Sequence, residues 1–522
     1  MNFMYIIIFF VQPPMFLSAE KTFKAAVFEP TISSRTPMGN VSRDDAISQM
    51  KDVLKGYADV ATKASKEGVN ILVFPENGLI AHLRNYSRTD IENFLDIIPQ
   101  PNKVKPWIPC DKPDLYPRTE IQETISCIAK ENNIYLVVNV GDMQLCNHME
   151  DSSCPSDGHY QHNTNVVYSS EGALVSKYHK KHLSDEPYYN APKAAEYAVF
   201  DTPFGRFASI VSYDILFNDT LNNLIEKHQV SNILFPNLWL HVPPFFLSSL
   251  FHNSIAKAFK INLISANVKI AMFPDIVSGG SGIYTPDESL YRYKPFNSIP
   301  SDGYIQLQIK NIEESERKFL WPLKRKVPTS DNSVVKTALM TNVFPVSAVI
   351  LQNDSGIVSV CNYKVCCSLE YEFMSNRTLK FKINYILAIS NKKDVDLTNP
   401  EGKEMQSCLL CPIYDEKISC LMTLPADIPK GDVSFRKLKM TAHNFNTPYL
   451  FPHIATFNSK SYDINTSWKH DRGEIENTKP IEKVFTAIIF GRLYPIASSA
   501  PFTVFPITSV ILLNLISKEL LV

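Results

Sequence analysis

The fold of this chain is decided by one stretch of its sequence, FGRFASIVSYDILF at residues 204–217. Residues 207–211 are mostly apolar and include Ile and Val, a composition that predicts a buried strand. Ser212 follows and places a hydroxyl at the point where the apolar run stops. Ligands of α/β proteins bind outside the carboxyl ends of strands, so this strand end is expected to lie at a functional site.

Strand and helix patterns alternate on both sides of this stretch, from residue 23 to about 290. Short apolar runs predict strands at residues 23–28, 71–74, 135–140, 165–168, 173–178, 207–211, 232–235 and 262–266. Apolar residues three and four positions apart predict helices at residues 44–67, 121–130 and 246–259. Alternation of this kind predicts a buried sheet that is covered by helices.

Two more predicted strands end in charged residues. Glu76 follows the second strand, and Lys180 follows the fifth, with Glu186 shortly after it. Each residue has an ordinary alternative reading, because carboxylates and lysines after strands usually lie in solvent, and a serine such as Ser212 is usually a turn residue. Together, however, the three strand ends point polar groups toward one edge of the predicted sheet.

The remainder of the chain has a different character. From about residue 310 to 495 helical periods are few and six of the ten cysteines occur. Short β-rich runs are frequent there, for example at residues 343–351, 378–389 and 484–489. A chain of 522 residues is also too long for a single hydrophobic core. We therefore expect an α/β domain at residues 20–310 and a mostly β domain at residues 311–495.

Charge and composition argue against one class of function. The chain carries 52 Lys and Arg residues against 53 Asp and Glu residues, for a net charge of −1. No run rich in Lys and Arg offers the positive surface that nucleic acid or anionic lipid requires. We therefore expect no nucleic-acid partner.

Both ends of the chain carry sorting patterns. Residues 1–19 combine a short apolar run with small residues suited to cleavage, which predicts a signal peptide. Residues 496–522 join small residues to an apolar tail, the pattern of a GPI attachment signal, although the polar spacer is nearly absent. Attachment to the cell surface and simple secretion are therefore both open. Six glycosylation sequons agree with the secretory route, at Asn40, Asn85, Asn218, Asn353, Asn376 and Asn465.

Taken together, the motifs of this chain resemble those of one family. Phe74-Pro75-Glu76, Tyr178-His179-Lys180 and residues 204–217 resemble the three signatures of the nitrilase superfamily in the form found in vanins and biotinidases. Further matches extend to residue 494, at Trp107-Ile108-Pro109-Cys110, Asn163-Thr164-Asn165-Val166-Val167-Tyr168, Gly280-Ser281-Gly282-Ile283-Tyr284, Cys366-Cys367 and Phe490-Gly491-Arg492-Leu493-Tyr494. The resemblance implies a nitrilase-type α-β-β-α sandwich followed by a smaller, mostly β domain.

The resemblance also implies a chemistry. Enzymes of this family hydrolyse linear amides, with pantetheine and biotinyl amides as the known substrate classes, so the expected partner is a small-molecule amide. Matched by motif, Glu76 is the general base, Lys180 stabilises the oxyanion and Glu186 is the second carboxylate. The cysteine nucleophile of the family falls on Ser212. No cofactor and no metal are expected.

The cysteines form an even set, which is typical of structural bridges in an oxidising compartment. They are Cys110, Cys127, Cys146, Cys154, Cys361, Cys366, Cys367, Cys408, Cys411 and Cys420. The paired cysteines of the resembling family imply bridges Cys110–Cys127 and Cys146–Cys154. A zinc site at residues 408–411 is the weaker alternative, because no histidine lies nearby to complete it.

The serine at position 212 departs from the family. A thiol is partly ionised near neutral pH and one carboxylate can activate it, whereas serine hydrolases need a histidine base for their far less acidic hydroxyl. Strand alternation turns His179 to the face opposite Lys180, and Leu250 replaces the glutamate that vanins usually carry near the pocket wall. Two functions therefore stay open: an amidase impaired at Ser212, and a catalytically dead protein that binds and sequesters an amide.

Overall fold

The architecture of the chain was established from a computed structural model. It describes residues 22–32, 41–80, 87–102, 104–183, 186–239, 248–270, 278–291, 302–312, 326–328, 337–340, 345–374, 384–393, 404–414, 417–418, 433–447, 449–458, 461–464 and 467–492. The predicted signal peptide, the apolar C-terminal tail and the sequons at Asn40, Asn85, Asn376 and Asn465 lie outside these ranges. Asn353 is exposed, as a glycan would require.

The first sheet of the α/β region has seven strands. In spatial order they are Gly303–Lys310, Thr22–Glu29, Ile71–Val73, Tyr135–Leu145, His159–Tyr168 and Leu174–His179, with Leu95–Asp96 paired to Tyr135–Leu145. The three central strands from Thr22–Glu29 to Tyr135–Leu145 run parallel, and Leu95–Asp96 is also parallel to Tyr135–Leu145. The remaining strands pair antiparallel. Both faces of this centre are buried, which is why its strands are continuous apolar runs.

The second sheet has six strands and lies face to face with the first. In spatial order they are Ser289–Tyr291, Gly282–Tyr284, Asn262–Ala266, Asn232–Pro236, Gly205–Ser209 and Val199–Thr202. A short parallel pair, Thr31–Ile32 with Lys269–Ile270, stands beside the two sheets. Side chains from both sheets share one apolar core, in which Val73 and Val137 meet Leu234. Their strand neighbours point to the opposite face, because successive side chains alternate.

Helices cover the outer faces of the two sheets. Arg43–Lys66 and Glu120–Asn132 pack on the first sheet, and Ser248–Phe259 packs on the second. Arg43–Lys66 starts at Ser42, whose side chain accepts a hydrogen bond from the N–H of Asp45, and it buries a stripe of residues at helical spacing. The short helical segments are Arg88–Glu92, Pro113–Leu115, Ser212–Leu216, Asn218–Asn222 and Asn223–Lys227. The layers form the expected α-β-β-α sandwich.

The C-terminal region is built from two antiparallel sheets. One contains, in spatial order, Thr337–Met340, Pro345–Ile350, Asn384–Lys393, Glu404–Tyr414, Val484–Arg492, Leu450–Asn458 and Ser461–Ile464, with Lys417–Ile418 paired to Glu404–Tyr414. The other contains Ser355–Asn362, Val365–Phe373, Phe435–His443, Glu474–Asn477 and Trp468–Asp471. They enclose their own apolar core, and no α-helix occurs among the residues described between 326 and 492. The mostly β character expected of this region is confirmed.

The larger C-terminal sheet is buried on both faces. Leu387 and Ile489 point into the C-terminal core, whereas Ile386 and Ile488, one position earlier, join the cluster around helix Ser248–Phe259. That helix places Phe251 and Phe259 against Phe451, with ring centroids 5.6 and 5.8 Å apart. The helix is therefore covered by the α/β sheet on one side and by the C-terminal domain on the other.

Disulfide bonds connect the cysteines expected to pair. Cys110–Cys127 and Cys146–Cys154 are both present, together with Cys361–Cys366 and Cys367–Cys408. Cys411 is also disulfide-bonded, and no described cysteine is free. The zinc reading of residues 408–411 is wrong, because Cys408 bonds across to the other C-terminal sheet.

Among the described helices, none has the length and apolarity needed to span a bilayer.

Candidate active site

Glu76 lies at the end of the short strand Ile71–Val73. Its side chain is only 2% exposed. The next residue, Asn77, has a positive φ of 53° and donates its N–H to Asn139 Oδ1 at 2.8 Å, which fixes the turn after the strand. The parallel pairing of Ile71–Val73 with Tyr135–Leu145 thus brings the carboxylate to one edge of the first sheet.

Lys180 follows strand Leu174–His179 and reaches the same edge. Its Nζ donates to Glu76 Oε1 at 2.8 Å and to Glu186 Oε2 at 2.5 Å. The side chain of Lys180 is 4% exposed, and those of Glu76 and Glu186 are buried as well. Sequence reasoning predicts all three residues, and the structure brings them into direct contact.

Asn163 completes this cluster, although sequence reasoning assigns it no role beyond its place in a family motif. Its Nδ2 donates to Glu76 Oε1 and to Glu186 Oε1, each at 2.8 Å. Its Oδ1 accepts from Asn139 Nδ2 at 2.7 Å, and its backbone carbonyl accepts the N–H of Lys180 at 2.8 Å. Asn163 therefore orients both carboxylates and the lysine. The one signal in the sequence is its place in the motif Asn163-Thr164-Asn165-Val166-Val167-Tyr168, and its position on the strand that pairs with the strand before Lys180 comes from the structure.

The electrostatics of the cluster keep Lys180 charged. Burial by itself would lower the pKa of Lys180, but the carboxylates of Glu186 and Glu76 raise it well above its ordinary value. Burial raises the pKa of Glu186, and the neighbouring charge of Glu76 adds to this effect, whereas Lys180 opposes it. A buried ammonium with two carboxylate partners is a fixed positive charge in a site of low polarity.

Ser212 begins the turn that follows strand Gly205–Ser209. The predicted strand at residues 207–211 is therefore placed two residues too late, because the chain leaves the sheet before Ile210. Ser212 has a positive φ of 39°, a conformation that costs energy for a residue with a Cβ and is common at functional sites. Its Oγ accepts the N–H of Leu238 at 3.0 Å, and the same N–H is donated to Glu76 Oε2 at 2.9 Å. Glu76, Lys180 and Ser212 thus meet at one place.

The histidines near the site have other partners. His179 contacts Asp142 Oδ2 at 2.8 Å and Glu196 Oε1 at 2.9 Å, and neither of these carboxylates contacts Lys180. Among the described residues, no histidine is hydrogen-bonded to Ser212. Lys181 donates its Nζ to the carbonyl of Pro192 and takes no part in the cluster.

Leu250 lies on the inner side of helix Ser248–Phe259. It is 1% exposed and belongs to the apolar cluster that the helix shares with the C-terminal domain. The side chain therefore brings no polar group to the site. Within the described residues, no cluster of three His, Cys, Asp or Glu side chains is placed to hold a metal ion.

These groups have a defined chemical capacity. The Lys180 ammonium is a donor that can stabilise negative charge on a carbonyl oxygen, and Glu76 is a carboxylate that can accept a proton. The hydroxyl of Ser212, which shares the N–H of Leu238 with Glu76, is a group that can act as a nucleophile. Acyl transfer from an amide is the reaction class for which this set of groups is suited.

Family models and curated relatives show the family of this chain. Residues 32–231 match the carbon-nitrogen hydrolase family model, and residues 334–495 match the vanin C-terminal domain model. Pantetheinase of Sus scrofa is 31% identical over 482 residues, which cover 91% of this chain and 90% of the relative. Biotinidase of Bos taurus is 30% identical over 506 residues, covering 90% and 92%. A solved amidase from Nesterenkonia sp. is 16% identical, covers 58% of this chain and 96% of its own, and has a TM-score of 0.38. The chain belongs to the vanin and biotinidase family of carbon-nitrogen hydrolases.

Proposed function

We propose that this chain binds small linear amides of the pantetheine or biotinyl amide class and hydrolyses them with little or no turnover. The relatives named pantetheinase and biotinidase support the substrate class. The observation that carries the proposal is the convergence of Glu76, Lys180 and Ser212 on one buried edge of the sheet. In this proposal Lys180 is the oxyanion donor, Glu76 is the base and Glu186 is the second carboxylate. The hydroxyl of Ser212 occupies the nucleophile position.

Each residue has a role in this proposal. Lys180 donates a hydrogen bond to the carbonyl oxygen of the amide, and Glu186 holds the lysine in place. Glu76 accepts the proton of the nucleophile and returns it to the leaving amine. The ionised form of a nucleophile is what attacks, and a serine hydroxyl is ionised far less readily than a thiol. Glu76 alone therefore activates Ser212 poorly.

A pure binding protein is the second candidate function. It is favoured by the absence, among the described residues, of a histidine hydrogen-bonded to Ser212. A serine nucleophile ordinarily depends on such a base, held in turn by a third group. The two candidates share the fold and the ligand, and they differ only in whether the bound amide is cleaved.

Turnover and binding by the purified chain test the proposal. Pantetheine and a biotinyl amide are incubated with the native chain and with Ser212→Cys, and binding is followed by calorimetry. We expect both proteins to bind. We expect the cysteine variant to hydrolyse at least about 100-fold faster, because a thiol ionises far more readily than a hydroxyl and loss of a working nucleophile lowers turnover by more than that factor. Ser209→Cys, a buried serine bonded to Asn165 rather than to the site, is the control and is expected to gain nothing. Comparable turnover by the native and cysteine forms would show that the nucleophile is misassigned, and absence of binding by both would remove the proposal.

We also propose that the protein is exported. The N-terminal apolar run, the sequons and the disulfide bonds support this, because bridges persist in oxidising compartments. Expression in cultured cells with an internal epitope tag decides where the protein resides. Release from the cell surface by phosphatidylinositol-specific phospholipase C would establish the GPI anchor, and recovery in the medium without treatment would establish secretion.

A further inference from the structure

Asp214 is a fully buried carboxylate two positions after Ser212, and it contacts none of the cluster carboxylates. Its Oδ2 accepts the Tyr178 hydroxyl at 2.8 Å and the N–H of Lys181 at 3.2 Å. Its Oδ1 accepts the N–H of His182 at 2.7 Å. Three donors from one segment of chain, residues 178–182, therefore converge on this single carboxylate.

The contacts of Asp214 join the two segments that carry the site. Asp214 belongs to the turn Ser212–Leu216, and its three donors lie on either side of Lys180. The backbone N–H of Lys180 donates to the carbonyl of Asn163, on the neighbouring strand His159–Tyr168. The backbone around the lysine is thus held between a neighbouring strand and the serine turn.

We propose that Asp214 is a positioning residue that sets the place of Lys180 relative to Ser212. Its consequence for amide chemistry rests on the function proposed above. Glu76 and Glu186 hold the ammonium of Lys180, and the position of the Lys180 backbone sets which places its four-carbon stem can reach. Errors of about 1 Å in such groups reduce reaction rates by roughly two orders of magnitude.

The chemistry of the site requires a carboxylate at this position. An ionised carboxylate only accepts hydrogen bonds, and it can receive both N–H groups and the hydroxyl at once. An asparagine would turn its amide NH₂ toward at least one of these donors. Burial raises the pKa of Asp214 to about 6, while the charges of His182 and Lys180 and the hydrogen bond from Tyr178 oppose that rise. Below that pH the acid carries a proton and loses accepting capacity.

Hydrogen exchange of the backbone amides of Lys181 and His182 tests this role without requiring any turnover. The full-length native chain is compared with Asp214→Asn and with Asp219→Asn, which removes an equal charge from a half-exposed residue that meets only the ring of His182 in that segment. We expect Asp214→Asn to lower protection of the two amides at least tenfold, and Asp219→Asn to leave it within twofold. Unchanged protection in Asp214→Asn overturns the proposal.

A pH series separates positioning from general destabilisation. In the native chain, protection of these two amides, corrected for intrinsic exchange, is expected to fall between pH 7 and pH 5, and in Asp214→Asn it is expected to be low throughout. If Asp214→Asn does not fold, the pH series of the native chain is the test. Equal protection of the Lys181 and His182 amides at pH 7 and pH 5 would then count against the positioning role of Asp214. In a Ser212→Cys background, Asp214→Asn should lower kcat about 100-fold and KM much less. If the exchange result holds while Ser212→Cys remains inactive, the proposed function fails and the positioning role stands.

Discussion

Glu76 and Ser212 accept hydrogen bonds from the same backbone N–H, that of Leu238. The distances are 2.9 Å to Glu76 Oε2 and 3.0 Å to Ser212 Oγ. Leu238 follows strand Asn232–Pro236, so the second sheet supplies the group that brings the two side chains together. A proton acceptor and a nucleophile position that share one donor lie close enough to act on the same bond.

The role of Glu76 can be measured once a thiol stands at position 212. In a Ser212→Cys background, Glu76→Gln keeps the size of the side chain and removes its capacity to accept a proton. We expect amide turnover to fall at least about 100-fold, because general base catalysis contributes effects of that size. Glu226→Gln, an exposed carboxylate, is the control in the same background. Equal turnover with Gln and Glu at position 76 would assign the base elsewhere.

Lys180 and Lys181 are adjacent lysines with different partners, so replacing each in turn measures how much the buried ion pairs of Lys180 contribute to stability. Lys180→Met leaves Glu76 and Glu186 buried without their cation, and removal of one partner from a buried ion pair costs about 3–5 kcal/mol. The loss should be larger at pH 8 than at pH 5, because without the ammonium the buried Glu186 favours its protonated form. Lys181→Met removes one partly buried hydrogen bond, to the carbonyl of Pro192, and should cost only about 1 kcal/mol. Urea unfolding of the three proteins measures this, and equal losses for both lysines would contradict the assignment.

His162 predicts part of the response to acid. Burial and the nearby charge of His179 together lower the pKa of His162 to about 4. Between pH 6.5 and pH 4 the unfolded chain therefore binds a proton at this residue that the folded chain does not, so stability falls as the pH falls. At pH 5 the loss from this residue is about 2 kcal/mol relative to pH 7.

Variants isolate that contribution. His162→Gln removes the titrating ring and can still donate to the carbonyl of Asn190, which His162 contacts at 2.7 Å. We expect the free energy of unfolding of His162→Gln to change less between pH 7 and pH 5 than that of the native chain, by about 2 kcal/mol. His148→Gln changes an exposed residue and is the control. Its free energy of unfolding should change between pH 7 and pH 5 by as much as that of the native chain. If His162→Gln has the same pH dependence of unfolding as the native chain, the buried ring of His162 is not the neutral group inferred here.

The C-terminal domain should stabilise helix Ser248–Phe259. Phe451 is fully buried against Phe251 and Phe259 of that helix. Phe451→Ala opens a cavity at this contact, with an expected cost of about 3–5 kcal/mol. Hydrogen exchange of the helix should accelerate in Phe451→Ala.

A control within the same domain distinguishes the contact from loss of the domain. Phe373→Ala removes a buried ring from the apolar core that the two C-terminal sheets enclose. Phe373 packs there on Phe435, with ring centroids 4.7 Å apart. It should destabilise the C-terminal domain and leave exchange of the helix less affected than Phe451→Ala does. Equal acceleration of the helix by both variants would mean that the contact at Phe451 has no specific role.

The sequence predicts the elements well and their ends less well. The strand Asn262–Ala266 has its predicted bounds, because a short apolar run between polar residues is a local signal. The strand before Ser212 ends at Ser209, two residues before the predicted end. Ile210 and Val211 are apolar and fully buried, and apolar residues are buried in turns as well as in strands. Hydrophobicity alone therefore does not mark where the hydrogen bonding of the sheet stops.

By itself, the sequence determined the order of strands and helices, the change to β structure after about residue 310, and the residue types at the site. These depend on periodicity and on motifs, which are properties of neighbouring residues. Only the tertiary structure decided which atoms meet: Lys180 with Glu76 and Glu186, Asn163 between the two carboxylates, and Leu238 between Glu76 and Ser212. Glu76 and Lys180 are 104 positions apart in the chain, and Leu238 is 162 positions from Glu76. Such contacts arise from how the strands pair and how the two sheets face each other, and no local pattern of residues encodes these directly.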